Sequence, residues 1–241
     1  MAANGWLLAI DTATATVVVA AGSREGAVIG VETFAGGHRH SQELLPAAMR
    51  LLGSTGLALD DLAGLIVGTG PGAFTGLRVG LATAKTLAHE LGRPIVGIST
   101  AEALLDAARA ATTDAPGPGV PPTGIRLWLP SGPRDRVLIE SGQAPRLVQG
   151  EEAPADPGGA ADHPTDVAVD LDERAPDAAV ALGRAAVAGL PAALLRLGSA
   201  RLAAGDADDP ERLVPAYATP PRGATATMDP ERGVAWSRDP R

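Results

Sequence analysis

The stretch from Gly64 to Gly80 constrains the fold more than any other part of the chain. It reads Gly-Leu-Ile-Val-Gly-Thr-Gly-Pro-Gly-Ala-Phe-Thr-Gly-Leu-Arg-Val-Gly. Leu65, Ile66 and Val67 form a short apolar run of the kind that makes a buried strand. Gly68, Gly70 and Gly72 allow a sharp turn. Thr75 is predicted to cap a helix, in which Leu77, Leu81, Ala84, Ala88 and Leu91 fall at helical spacing. A glycine turn between strand and helix has two physical uses. It can hold an anion on open backbone N–H groups at the helix N-terminus, or it can let two backbones pack closely.

The loop fits neither common nucleotide fingerprint. A phosphate loop needs Gly-Lys-Ser/Thr at its end, whereas Gly76 is followed by Leu77 and Arg78. Gly70, Gly72 and Gly76 make a relaxed dinucleotide pattern. That pattern also requires an acid about twenty residues further on, and the run Arg93–Ser99 ends without one.

The flanking segments predict the topology. Trp6–Asp11, Thr16–Ala21 and Ala27–Phe34 read as three strands, the last two joined by a turn at Gly22–Gly26. A helix follows, with Leu44, Leu45, Ala48, Leu51 and Leu52 on one face, Ser41 as its cap and Pro46 near its start. Another helix begins near Ser99. The order β-β-β-α-β-α-β-α is that of an actin-like (ribonuclease H-like, ASKHA) α/β lobe rather than a doubly wound Rossmann sheet.

Four motifs carry a family resemblance. Leu8–Thr14 reads Leu-Ala-Ile-Asp-Thr-Ala-Thr, and His40–Pro46 reads His-Ser-Gln-Glu-Leu-Leu-Pro. They are followed by Gly68–Gly80 and by Gly97–Ala103, Gly-Ile-Ser-Thr-Ala-Glu-Ala. In order and spacing these resemble the TsaB family, formerly YeaZ. Val214–Tyr217 resembles the family's closing Pro-x-Tyr segment. In Leu129–Ile139, the place of the family's Asp-Ala-Arg segment and the Glu-Val-Tyr-like strand after it, that acid and the tyrosine are missing.

The resemblance implies a non-catalytic subunit acting in the formation of N6-threonylcarbamoyladenosine in tRNA. Its partner would be TsaD, with TsaE joining the pair and tRNA bound only through the complex. A homodimer is expected when the chain is alone, and cytoplasmic localisation follows. TsaD is distinguished by a metal-binding His-x-x-x-His motif, which this chain lacks. The alternative from the fold class is a small-molecule kinase or ATPase, which would need a second phosphate loop and an adenosine motif in the second half.

Composition narrows the choice. The chain has 241 residues and no cysteine, so it has no disulfide framework and no thiolate site. Its net charge of −8 disfavours binding RNA alone. No apolar run reads as long enough to span a membrane. Three regions are predicted. Residues 1–110 form the actin-like lobe. Residues 111–219 form a reduced second lobe with Pro/Gly-rich loops, strands at Arg126–Leu129, Val137–Ser141, Pro145–Val148 and Val167–Leu171, and two alanine-rich helices over 177–190 and 191–204. Residues 220–241 read as a disordered tail. No sequence repeat relates the halves.

The candidate residues divide into two groups. Asp11 and Thr12, at the end of the first strand, and Gly70 and Gly72 could form a vestigial phosphate site. The plainer reading is that Asp11 and Thr12 hydrogen-bond their own turn. Gly76, Gly80 and Ala84 recur every four residues, a small-residue stripe that permits close helix approach. With Leu45 and Met49 on the preceding helix, and Arg78 and Lys85 flanking the stripe, they form the candidate partner interface. A bulky residue at Gly80 is then expected to weaken dimerisation and leave the fold intact. His38 and His40 are too few for a metal site, and neither a metal nor a cofactor is expected. Ser99 and Thr100 read as a helix cap. The acidic run Asp206–Glu211 reads as a solvated loop.

Overall fold

The structure is a computed structural model. It describes residues 5–37, 40–113, 124–131, 135–149, 152–155, 164–217, 224–229 and 233–238. His38, the His40 side chain and the Ser41 side chain predicted to cap the helix lie outside the described positions, as do most of the Pro/Gly-rich stretches 112–124 and 150–164.

Strands β1 (Trp6–Asp11), β2 (Thr16–Ser23) and β3 (Val28–Ala35) form an antiparallel meander. Helix α1 (His40–Thr55), strand β4 (Leu62–Gly68), helix α2 (Phe74–Leu91), strand β5 (Ile95–Ile98) and helix α3 (Thr100–Thr113) follow. Strands β4 and β5 add in parallel, giving the order β3-β2-β1-β4-β5. The element order matches the one read from sequence, with boundaries within a few residues.

This sheet is buried on both faces, so its central strands are apolar throughout rather than alternating. Trp6, Leu8 and Ile10 of β1 pack with Leu44, Leu51, Leu81 and Ala88 of α1 and α2. Leu7 and Ala9, of opposite parity, pack on the other side with residues of α3 and of the long helix α4 (Asp177–Ala203).

A second sheet contains β6 (Ile125–Ser131), β7 (Asp135–Glu140), β8 (Arg146–Val148) and β9 (Thr165–Ala168), in the order β8-β7-β6-β9. Strands β6 to β8 are antiparallel, and β9 lies parallel to β6. That is the β3-β2-β1-β4 arrangement of the first sheet with the fifth strand left off. The halves are related in topology although no repeat is visible in sequence. Leu127, Val137 and Val167 of the second sheet share one core with α3, α4 and the first sheet.

Three expectations are corrected. The two helices predicted on either side of Pro191 are one continuous 27-residue helix, α4, with Pro191 inside it. Leu190, Ala193, Leu194 and Leu195 are all buried, and this packing on both sides of the proline keeps the two halves in line. By length and apolar content α4 meets the measure for a membrane span that no segment was expected to reach. It is instead a core helix between two sheets. Finally, the stretch 220–241 is not featureless: β10 (Ala224–Asp229) and β11 (Gly233–Arg238) pair as an antiparallel hairpin.

Candidate functional site

Three of the motifs converge on one hydroxyl. Gly70 N–H donates to Thr100 Oγ1 (3.0 Å), and Thr100 Oγ1 donates to Asp11 Oδ2 (2.6 Å). Ala13 N–H donates to Asp11 Oδ1 (2.8 Å). The end of β1, the glycine loop and the start of α3 are thereby tied together. Ser99 Oγ accepts from Glu102 N–H (3.3 Å), the cap read from sequence. Thr100 N–H donates to Gly70 O (2.9 Å), so a carbonyl of the protein's own loop faces the first turn of α3.

Asp11 is fully buried and, among the described residues, has no cation beside it; burial pushes its carboxyl up to about 6, against the weaker opposing effect of the Thr100 and Ala13 hydrogen bonds. The next open amide of the β1–β2 turn is also taken, because Ala15 N–H donates to Asp170 Oδ2 (2.6 Å) from the second half of the chain. Asp170 lies in left-handed backbone at φ 56°. Its carboxyl is raised as well, first by burial. The β1–β2 turn therefore gives two of its amides, those of Ala13 and Ala15, to carboxylates, and carboxylates repel an incoming anion.

The glycines follow the same logic of close approach. A Cβ at Gly68 would overlap the Asp11 carboxylate, and one at Gly72 would overlap the Ala13 carbonyl. Of the two uses open to the loop, the structure shows backbone packing. Asp11 and Gly70 do come together, joined through Thr100, while Gly72 packs on Ala13 and the Thr12 hydroxyl bonds Gly76 O.

The small-residue stripe needs correction. Gly76, Gly80 and Ala84 are buried. A Cβ at Gly80 would overlap Thr12 Oγ1, which donates to Gly76 O (2.7 Å). The stripe admits the β1–β2 turn and is not on the surface, so a bulky residue at Gly80 strikes the fold itself. Thr75 does not cap α2 either. Ala73 occupies the cap position without a side-chain bond, and its N–H donates to Ala13 O (2.8 Å).

The other candidate interface residues are accessible to different degrees. Leu45 is 52% exposed and Met49 65%, one turn apart on α1. Arg78 and Lys85 are engaged by the returning C-terminal segment. Arg78 Nε donates to Tyr217 Oη (3.1 Å), and its guanidinium lies 4.0 Å from the centre of the Phe74 ring. Lys85 Nζ donates to Leu213 O (3.1 Å). The acidic run is part of the same segment and is not merely solvated: Gly97 N–H donates to Asp208 Oδ2 (2.7 Å), and Arg201 binds both Asp206 and Asp208.

Two features of the second half had no sequence signal. Asp166 is buried, and it accepts from Arg126 Nε (2.7 Å) and Nη2 (2.9 Å), Trp128 Nε1 (2.9 Å) and Ala155 N–H (2.6 Å). A groove of about 670 Å³ also runs between β3 and α4, lined mainly by apolar side chains such as Val31, Val187 and Pro191. Among the described residues no three His, Cys, Asp or Glu side chains form a metal-holding group.

Comparison with known proteins adds to this geometry. Residues 31–139 match the family model described as TsaD, tRNA N6-adenosine threonylcarbamoyltransferase. The tRNA threonylcarbamoyladenosine biosynthesis protein TsaB of Bacillus subtilis is 40% identical over 98 residues, covering 41% of this chain and 42% of the relative. TsaB of Escherichia coli is 36% identical over 94 residues, covering 39% and 40%. The matched stretch thus spans less than half the length of these curated relatives. The solved structure of YeaZ from Pseudomonas aeruginosa superposes with a TM-score of 0.63 over 88% of this chain and 99% of that one, at 24% identity. That likeness supports the actin-like fold.

Proposed function

We infer that this chain, a relative of TsaB (YeaZ), serves the biosynthesis of threonylcarbamoyladenosine in tRNA as a subunit that performs no chemistry of its own. It binds and stabilises TsaD, helps recruit TsaE, and meets tRNA only in the complex. Alone, it forms a homodimer. It works in the cytoplasm.

One observation carries the non-catalytic reading. Asp11 and Asp170 hold the Ala13 and Ala15 amides of the β1–β2 turn, so this turn does not offer them to a nucleotide's phosphates. Among the described residues the second sheet has no counterpart of β5, in keeping with a first lobe kept whole and a second one reduced. The exposed Leu45 and Met49 on α1 supply apolar surface for a partner. The net charge of −8 supports a protein partner rather than direct RNA contact.

The test is co-purification with TsaD from the same organism, with and without tRNA, beside a calorimetric titration with ATP. The expected result is a stable TsaD complex, tRNA retention only when TsaD is present, and no ATP binding by the isolated chain. ATP turnover by the purified chain, abolished by Asp11→Ala, would overturn the reading in favour of an actin-like ATPase or kinase. The match to the TsaD family model favours a second reading, in which the chain transfers the threonylcarbamoyl group itself. Modification of tRNA by this chain without TsaD is the outcome that would establish it.

A further inference from the structure

We propose that the hairpin β10–β11 docks on the outer edge of β3 in its own chain, extending the first sheet to the order β11-β10-β3-β2-β1-β4-β5. The two edges of this sheet are finished differently. The β5 edge is closed: Asp208 N–H donates to Ile95 O (2.9 Å), Gly97 N–H donates to Asp208 Oδ2 (2.7 Å), and Arg201 Nη1 donates to Gly97 O (2.9 Å). At β3, among the described residues, no backbone bond arrives from the outer side. Strand β3 has eight residues, none of them proline or lysine. Its single charge, Glu32, is held by Arg50 (3.3 Å). Val28, Ile29 and Val31 are 45%, 46% and 40% exposed. A long apolar edge with none of the usual protections is a template for another strand.

The exposure has a side. Gly30 sits against Leu51 and Thr55 of α1, and Phe34 packs with the core under that helix. Val31, Thr33 and Ala35, of opposite parity, are exposed. Val31 and Thr33 line the groove that faces Val187 and Pro191 of α4. A strand added at β3 pairs the open edge and lays every second residue over this groove.

Length, connection and pattern select the occupant. Strands β10 and β11 form a sheet of two strands only, and such a hairpin is marginal alone in water. Strand β10 has six residues, and β3 pairs with β2 in unbroken register over six, Gly30–Ala35. Ala35 lies opposite Thr16, at the end of the sheet that carries Asp11 and Gly68. The chain comes back to that same end at Ala216, whose N–H donates to Thr69 O (2.8 Å). From β4 to the place beyond β3 is a crossing of roughly 19 Å, and residues 218–223 can span up to about 24 Å. A strand that starts from this end runs antiparallel to β3, the direction that needs no crossover. Matching the six residues sets Ala224 opposite Ala35 and Asp229 opposite Gly30. Met228 then falls opposite Val31, and Ala226 opposite Thr33, in the row over the groove. The hairpin's own pairs Met228–Val234 and Ala226–Trp236 continue that row with apolar residues.

The chain has no cysteine, so a disulfide can be placed without interference. The full chain carrying Thr33→Cys and Ala226→Cys is oxidised mildly and its cross-links are mapped by mass spectrometry at several protein concentrations. Opposed positions of an antiparallel pair bring the two Cβ atoms within reach of a disulfide. The expected result is a bond within one chain, formed equally at every concentration. Hydrogen exchange is followed beside it in the wild type and in Ala226→Pro, which denies β10 its place in a ladder. The amides of Gly30–Ala35 that point away from β2 should exchange about tenfold faster in the variant. This second measurement decides the matter where the cysteines fail to join. Exchange at β3 unchanged by Ala226→Pro means an edge that the hairpin does not cover, and overturns the proposal. A disulfide that forms only between chains and grows with concentration also overturns it, and assigns the edge to a second copy.

Discussion

Each half of the molecule buries one aspartate deep in its sheet, and the two are satisfied in opposite ways. Asp166 in the second half meets a guanidinium, an indole N–H and a backbone amide. Asp11 in the first half meets a hydroxyl and a backbone amide and, among the described residues, no cation. A buried charge with a fork-like cation partner is a fixed structural pin, whereas one without a cation gives way by taking up a proton. The Asp11 carboxylate is thus a proton-accepting knot between three motifs.

The contrast is open to direct attack, beginning with the second half. Asp166→Ala leaves Arg126 and Trp128 without their shared acceptor and is expected to cost about 4 kcal/mol, read as a large drop in the denaturation midpoint. A loss below about 1 kcal/mol would show that Asp166 is not a pin. Next, Gly80→Leu forces a side chain into Thr12 and should destabilise the first lobe by about 3 kcal/mol. Thermal melting distinguishes this from the surface role expected from sequence, under which the variant would fold normally and fail only to dimerise.

A smaller effect reads the protonation of Asp11. Its carboxyl, ordinarily near 3.8, sits at about 6 in the folded chain, so the folded state binds the proton more tightly than the unfolded one. Its stabilising contribution is full below about pH 4 and is lost as pH rises through 6. Relative to Asp11→Asn, the wild type should lose roughly 1 kcal/mol between pH 5 and pH 7. Parallel stability–pH curves for the two proteins would remove the distinction between Asp11 and Asp166. Smallest of all, Met49→Glu on the exposed face of α1 should change stability by less than about 0.5 kcal/mol and still weaken TsaD binding in a titration.

The first half was legible because its signals are local. Apolar runs bounded by glycine, helical spacing and the Ser99 cap each lie within a few residues, and the three-strand meander followed by crossovers gave the order of elements along the chain. The stripe Gly76, Gly80 and Ala84 was legible as close packing but not as to what it packs on. A partner helix and an internal turn demand the same small side chains, and only Thr12, 64 residues from Gly76 in sequence, decides between them. Asp166 was invisible for the same reason, since its donors lie 11 to 40 residues away in no local pattern. Pro191 misled because a proline interrupts a helix on its own strength. Burial on both sides of it, a tertiary effect, carried the helix through.

That helix has a mechanical consequence. In an actin-like machine two lobes swing about a hinge as nucleotide binds and leaves. Here α4 is one beam whose side chains are sunk into both sheets at once. Any swing must pull those side chains out of one sheet or bend the beam. A molecule braced in this way resists a cycle of opening and closing.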